Sequence, residues 1–213
     1  MVREPGQELT SLPGPIPNFG PFKTAAEAVF SACPLILSQP NAVAGRKSDP
    51  SFNTYFRLST EYCSLLYYTP DKMFEMSMLA TEYAQSAPEA RTCPYVSRVE
   101  DPRYPPDSLV YVYLLHTHAY EEELSDRDIS AIIALGREHG FKTTTESGEI
   151  RLGIIAFFSN GSYDLPTCDG FFEYIPYTGN MSKWTVKDGQ WTSHPYADVV
   201  WVSPSDYMIK RKR

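Results

Sequence analysis

Residues 109–115, Leu-Val-Tyr-Val-Tyr-Leu-Leu, are apolar or aromatic throughout and rich in strong β-formers. Such a run has no polar face to give to water, so it predicts a strand in the middle of a sheet, buried on both sides. A fold built on it must cover both faces with other elements. The run ends in His116-Thr117-His118, which holds two of the chain's four histidines. On an extended backbone alternate side chains point the same way, so the two imidazoles can converge on one point. Core or surface histidines also account for such a pair taken alone.

After an acidic loop, Ser125-Asp126-Arg127-Asp128 opens an amphipathic stretch to His139, with Ile129, Ile132 and Ile133 at helical spacing and Gly140 as its stop. Ser125 and Asp128 have the spacing of a capping box, which accounts for the serine fully and the aspartate adequately. The short loop also folds the helix start back towards the strand tip, bringing a carboxylate near both histidines. Two His and one Asp are a catalytic zinc set that leaves one position for water. Asp128 is the expected third ligand, and Asp126 its rival. A hydrolytic zinc site gains from a nearby proton acceptor. Glu61, at the front of the apolar stretch 61–68, is the expected base, although a charge at an exposed strand end is ordinary.

Residues 1–22 are proline-rich and read as an extended arm or linker. Thr24-Ala25-Ala26-Glu27 is a second capping box, opening a helix that Pro40 stops at the latest. A polar loop follows at 41–51, then a strand at 52–58, a buried strand at 61–68, a turn at 69–72 and a return strand at 73–79. A long proline-rich loop spans 84–108. Strands are expected at 152–158 and near 170–175, with Asn160-Gly161 as a hairpin turn, and at 199–202. A second hairpin turns at 187–190. This order predicts one mixed α/β domain, a mixed sheet with flanking helices. Trp184, Trp191 and Trp201 read as the packing of a small β-rich appendage. His139 fits a helix C-terminus, and His194 falls in a loop.

The net charge of −7 argues against a nucleic-acid partner. No segment is apolar for long enough to span a bilayer, and the first 25 residues do not read as a signal peptide. The basic stretch 209–213 reads as a solvated tail. Of the four cysteines, Cys93 and Cys168 sit in loop-like sequence and are the better candidates for a bridge, whereas Cys33 and Cys63 read as buried thiols.

Together, His116-Thr117-His118 and Ser125-Asp126-Arg127-Asp128 resemble the JAMM signature, His-x-His followed by Ser-x-x-Asp. Glu61-Tyr62-Cys63-Ser64-Leu65-Leu66 resembles the Glu-x-x-Gly-Leu-Leu element that carries the JAMM glutamate. The Thr24–Ala28 opening looks like that of bacterial JAMM-like domains of the DUF4329 type, found in secreted and polymorphic-toxin proteins. The resemblance covers about 22–175. Ala119 stands where a proline often follows the second histidine, Ser64 replaces a glycine, and the loop to Ser125 is shorter than in the common eukaryotic form.

The resemblance implies an MPN-like (cytidine deaminase-like) core over 23–175, with a small β-rich extension over 176–213. It implies Zn2+ held by His116, His118 and Asp128, with Glu61 as base and Ser125 assisting at the oxyanion. The activity implied is metallopeptidase cleavage of a peptide or isopeptide bond in a protein or peptide substrate. An inactive binding module and a secreted effector acting on a partner protein are the other family outcomes. The family's relatives lean towards export from a bacterium.

Overall fold

A computed structural model describes residues 2–3, 9–82, 96–146, 148–203 and 206–212. In chain order its elements are β1 (Val2–Arg3), β2 (Ser11–Pro13), α1 (Ala25–Leu37), α2 (Phe52–Leu58), β3 (Cys63–Tyr68), β4 (Phe74–Met76), β5 (Thr81–Glu82), β6 (Arg98–Glu100), β7 (Val110–Thr117) and α3 (Asp126–His139). They continue with β8 (Lys142–Thr145), β9 (Gly148–Arg151), β10 (Gly153–Phe158), β11 (Gly170–Ile175), β12 (Asn180–Lys187), β13 (Gln190–Ser203) and β14 (Asp206–Arg211). Eight strands form one mixed sheet in the order β14-β13-β12-β11-β10-β7-β3-β4. Only the β7–β10 pair within it is parallel.

The apolar run expected at the centre is there, extended to Thr117 and flanked by β3 and β10. Its two faces are covered by different helices. Val29, Ala32, Ile36 and Leu37 of α1 pack with Leu115, Ile155, Phe157 and Phe171. Ile129, Ile132 and Leu135 of α3 pack with Leu65, Ile154, Ala156 and Phe158 on the opposite face. Successive residues of β7 and β10 thus serve opposite cores, as period-two side-chain alternation requires.

Several expectations are corrected. Residues 52–58 form a helix, not a strand. Phe52, Tyr55 and Phe56 lie on one helical face, where Phe52 and Phe56 stack at 5.5 Å and both meet the Tyr120 ring. Asn160-Gly161 is not a tight hairpin turn: neither residue has the positive φ that such a turn demands, and the wide loop 159–169 joins β10 to β11. Ser159 Oγ instead accepts from the amides of Gly161 and Thr167 and knots that loop. Asp188 and Gly189, with φ of 52° and 74°, do make the tight turn expected between β12 and β13.

Strands β12, β13 and β14 continue the main sheet as part of the same domain, rather than forming a separate appendage. Trp191 stacks on Phe30 of α1 at 4.5 Å, and Trp184 stacks on Phe171. His194 lies in β13, not a loop, and the basic tail is largely the edge strand β14. Residues 16–22 of the N-terminal arm run along the opposite edge, where Ile16 N donates to Met76 O and Phe22 exchanges backbone bonds with Phe74. Cys168 is bridged to Cys33 of α1, and Cys63 is also disulfide-bonded, so neither Cys33 nor Cys63 is a free thiol. Cys93, the expected partner of Cys168, lies outside the described residues.

At the far end of β3, Tyr67 donates to Asp101 at 2.9 Å. Arg103 donates to Asp101 and to the buried Glu75. Burial pushes the Asp101 carboxyl up, but the hydrogen bonds from Arg103 and Tyr67 prevail and hold it below its ordinary value. A depressed folded-state pKa adds stability above the unfolded value of about 3.9 and loses it as pH falls below that value. Asp101→Asn is therefore expected to lower stability at neutral pH and to flatten the acid limb of a urea-midpoint profile. The Cys33–Cys168 bridge closes a sequence separation of 135 residues. Cys33→Ser is expected to cost roughly 2–5 kcal/mol in denaturant unfolding.

Candidate metal centre

The tip of β7 is held from both sides. Thr117 N donates to Tyr62 O, Thr117 Oγ1 accepts from Tyr62 N at 3.1 Å, and His118 N donates to Phe157 O at 2.8 Å. Ala156 of β10 lies beside His116, and Ala156 belongs to the core beneath α3. His116 therefore projects on the α3 side, and His118, two residues on, follows it.

The helix N-terminus supplies the third group. Ser125 caps α3 from an extended backbone conformation. Asp128 closes the reciprocal box: its Oδ2 accepts from Ser125 N at 2.7 Å and Ser125 Oγ at 2.8 Å. The capping reading of Ser125 and Asp128 is thus correct, and the same carboxylate also reaches the histidines. Asp128 Oδ1 lies 3.2 Å from His116 Nε2, and Oδ2 lies 3.6 Å from His118 Nε2. The two Nε2 atoms are 3.0 Å apart. Donors bound tetrahedrally to zinc at their usual bond lengths sit about 3.3 Å from one another, so these separations have the scale of a shared ion.

Burial sharpens the arrangement. His116 and His118 are only 2% and 6% exposed. Nδ1 of His118 lies 2.9 Å from the Glu122 carbonyl. A carbonyl can only accept, so Nδ1 carries a proton, and Nε2 is the ring nitrogen that faces the centre. His116 Nδ1 is buried without a hydrogen-bond partner among the described residues. Burial pushes the Asp128 carboxyl up, but the charge and hydrogen bonds of His116 and His118 outweigh it and leave it far below the carboxylate range. His118 shows the reciprocal effect: burial pushes it down, while Asp128, and to a lesser degree Glu61, lift it above its ordinary value. Two imidazoles and a negative charge are thus collected at one desolvated point, which a divalent cation could occupy. Among the described residues, these three form a group able to hold a metal ion.

Asp126, the rival ligand, accepts from Tyr207 of β14 and is not part of the group. Glu61 lies two residues ahead of β3 rather than in it. Cys63 pairs with His116, so continuing that register sets Glu61 opposite His118, and Glu61 is half-buried there. His139 contacts Ser97 O at 2.7 Å, and His194 pairs with Lys183, both apart from the centre. Sequence reasoning missed two supports. The Glu122 carbonyl is backbone and leaves no residue signature. The Thr117 hydroxyl, which aligns the Glu61-Tyr62 segment, was signalled only by a polar residue inside an apolar strand.

Asp128→Ala is expected to abolish retention of a divalent ion, and Asp126→Asn to leave it intact. Elemental analysis of the purified variants checks both, and full metal content in Asp128→Ala would refute the ligand set. Comparisons with protein-family models, with curated proteins and with solved structures found no match. The functional reading of this chain therefore rests on the geometry of this centre.

Proposed function

We propose that the chain is a zinc-dependent hydrolase of the JAMM/MPN-like type that cleaves a peptide or isopeptide amide bond. The observation that carries this reading is the convergence of His116 Nε2, His118 Nε2 and the Asp128 carboxylate at the tip of the central strand, with Glu61 in register opposite His118. His116, His118 and Asp128 would hold the ion, which supplies Lewis-acid polarisation and a water of lowered pKa.

Glu61 takes the proton from the attacking water and delivers it to the leaving amine, the task of a half-buried carboxylate beside a hydrolytic centre. Ser125 donates its hydroxyl to Asp128 in this structure. In the reaction it exchanges that bond for one to the developing oxyanion. The Glu122 carbonyl keeps His118 in the ligating tautomer. The order of elements supports the fold half of the reading: a glutamate segment leading into β3, the β3–β4 hairpin, β7 ending in His-x-His, then the capped α3. The Cys33–Cys168 bridge supports a protein that works in an oxidising, exported setting.

The expected result is that the purified protein carries zinc and cleaves members of a peptide library, and that a chelator abolishes cleavage. Glu61→Gln should keep the zinc and lose roughly 10²–10⁴-fold in kcat. Zinc-loaded protein with no cleavage of any peptide or isopeptide would instead mark an inactive binding module. Unchanged activity in Glu61→Gln would remove the glutamate from the mechanism.

A further inference from the structure

We propose that strands β12–β14 act as a latch on the metal centre, in which Lys183 and Arg211 position His118 by gripping the acidic loop between His118 and the α3 cap. The proposal rests on the metal-centre reading above and assigns a task to a part of the chain that the family motif does not include.

The loop has three consecutive glutamates, Glu121-Glu122-Glu123. The middle one supplies the carbonyl that receives His118 Nδ1–H at 2.9 Å. Both of its neighbours are tied down. Glu121 accepts from Lys183 Nζ of β12 and, at 3.0 Å, from Asn160 Nδ2. Glu123 accepts from Tyr196 Oη of β13 at 2.9 Å and from Arg211 of β14. Tyr207 of β14 donates to Asp126, just inside the helix that carries Asp128. Each of the last three strands thus places at least one donor on the segment joining the second histidine to the third ligand.

Three physical effects make these contacts more than surface decoration. A carbonyl in an unanchored loop samples many orientations. Fixing the side chains on either side of Glu122 orients its carbonyl, and the carbonyl orients the imidazole. Three adjacent glutamates repel one another and the site's own carboxylates, and the two cations offset that repulsion. Lys183 is also shielded: its ammonium lies 5.6 Å and 5.7 Å from the ring centroids of Phe158 and Phe172. Exposed ion pairs contribute little to global stability, so the effect of the latch is expected in metal affinity. The Lys212–Asp198 pair ties the residue after β14 to β13 at 2.7 Å, away from the loop, and it serves as the internal control.

The test uses the full chain as wild type, Lys183→Gln, Arg211→Gln, the double variant and Lys212→Gln, with thermal melts to verify folding. Cobalt(II) is titrated into each metal-free protein and read by its visible d–d absorption. The histidine ring nitrogens of the metal-free proteins are read by 15N NMR. Expected is a loss of about tenfold in cobalt affinity for the double variant, the size seen for outer-shell supports of metal ligands, with smaller losses for each single change and none for Lys212→Gln. His118 should show one Nδ1–H tautomer in wild type and a mixture in the double variant. A double variant equal to wild type in both readouts overturns the latch, as does a Lys212→Gln loss as large as that of the double. If wild type binds no cobalt, the hydrolase reading fails, and the tautomer spectra alone then uphold or reject the latch.

Discussion

Two imidazoles and a carboxylate share a nearly dry corner where the tip of β7 meets the first turn of α3, and much of the surrounding structure exists to make that burial tolerable. Polar groups removed from water cost free energy unless each finds a partner. Here the carboxylate is met by the Ser125 amide and hydroxyl, one imidazole by a backbone carbonyl, and the two Nε2 atoms face one another. Three such groups in close contact form a cluster able to hold a cation. This clustering, more than any single motif residue, gives the corner its chemistry.

Rigidity is supplied from several directions. β7 is central, so its tip cannot fray without breaking ladders to β3 and β10 at once. α3 is held by its apolar stripe against the sheet and by Tyr207 at its cap. On the other face, α1 is stapled through Cys33 to the loop that leads into β11. The polar network of Tyr67, Asp101, Arg103 and Glu75 lies at the opposite end of β3 from Glu61. Structural charge and candidate catalytic charge are thus separated along one strand.

Much of this was legible from residue patterns. The unbroken apolar run at 109–115 could only be a central strand, and the Ile129–Ile132 stripe with its Ser125 cap set the limits of α3. The convergence of His116, His118 and Asp128 followed from period-two alternation and a short loop. Errors arose where long-range packing overrode local preference. The aromatic stretch 52–58 has strand-like composition, yet Tyr120, remote in sequence, gives its Phe52 and Phe56 a surface that a helix presents better. Asn-Gly at 160–161 has the residues of a tight turn, but the bridge from Cys168 to α1 and the Ser159 knot hold a wider loop.

By itself the sequence determined the central strand, the capped helix and the two histidines at the strand tip, because these depend on side-chain periodicity and on contacts a few residues apart. Only the tertiary structure decided that Cys168 joins Cys33, that β12–β14 extend the main sheet, and that Lys183 and Arg211 reach the loop behind His118. Those outcomes depend on which strand edges meet and which side chains then face each other across 60 or more residues of chain. Local propensity carries no information about such pairings. They are settled by the net gain from burying apolar surface and matching charge in the assembled fold.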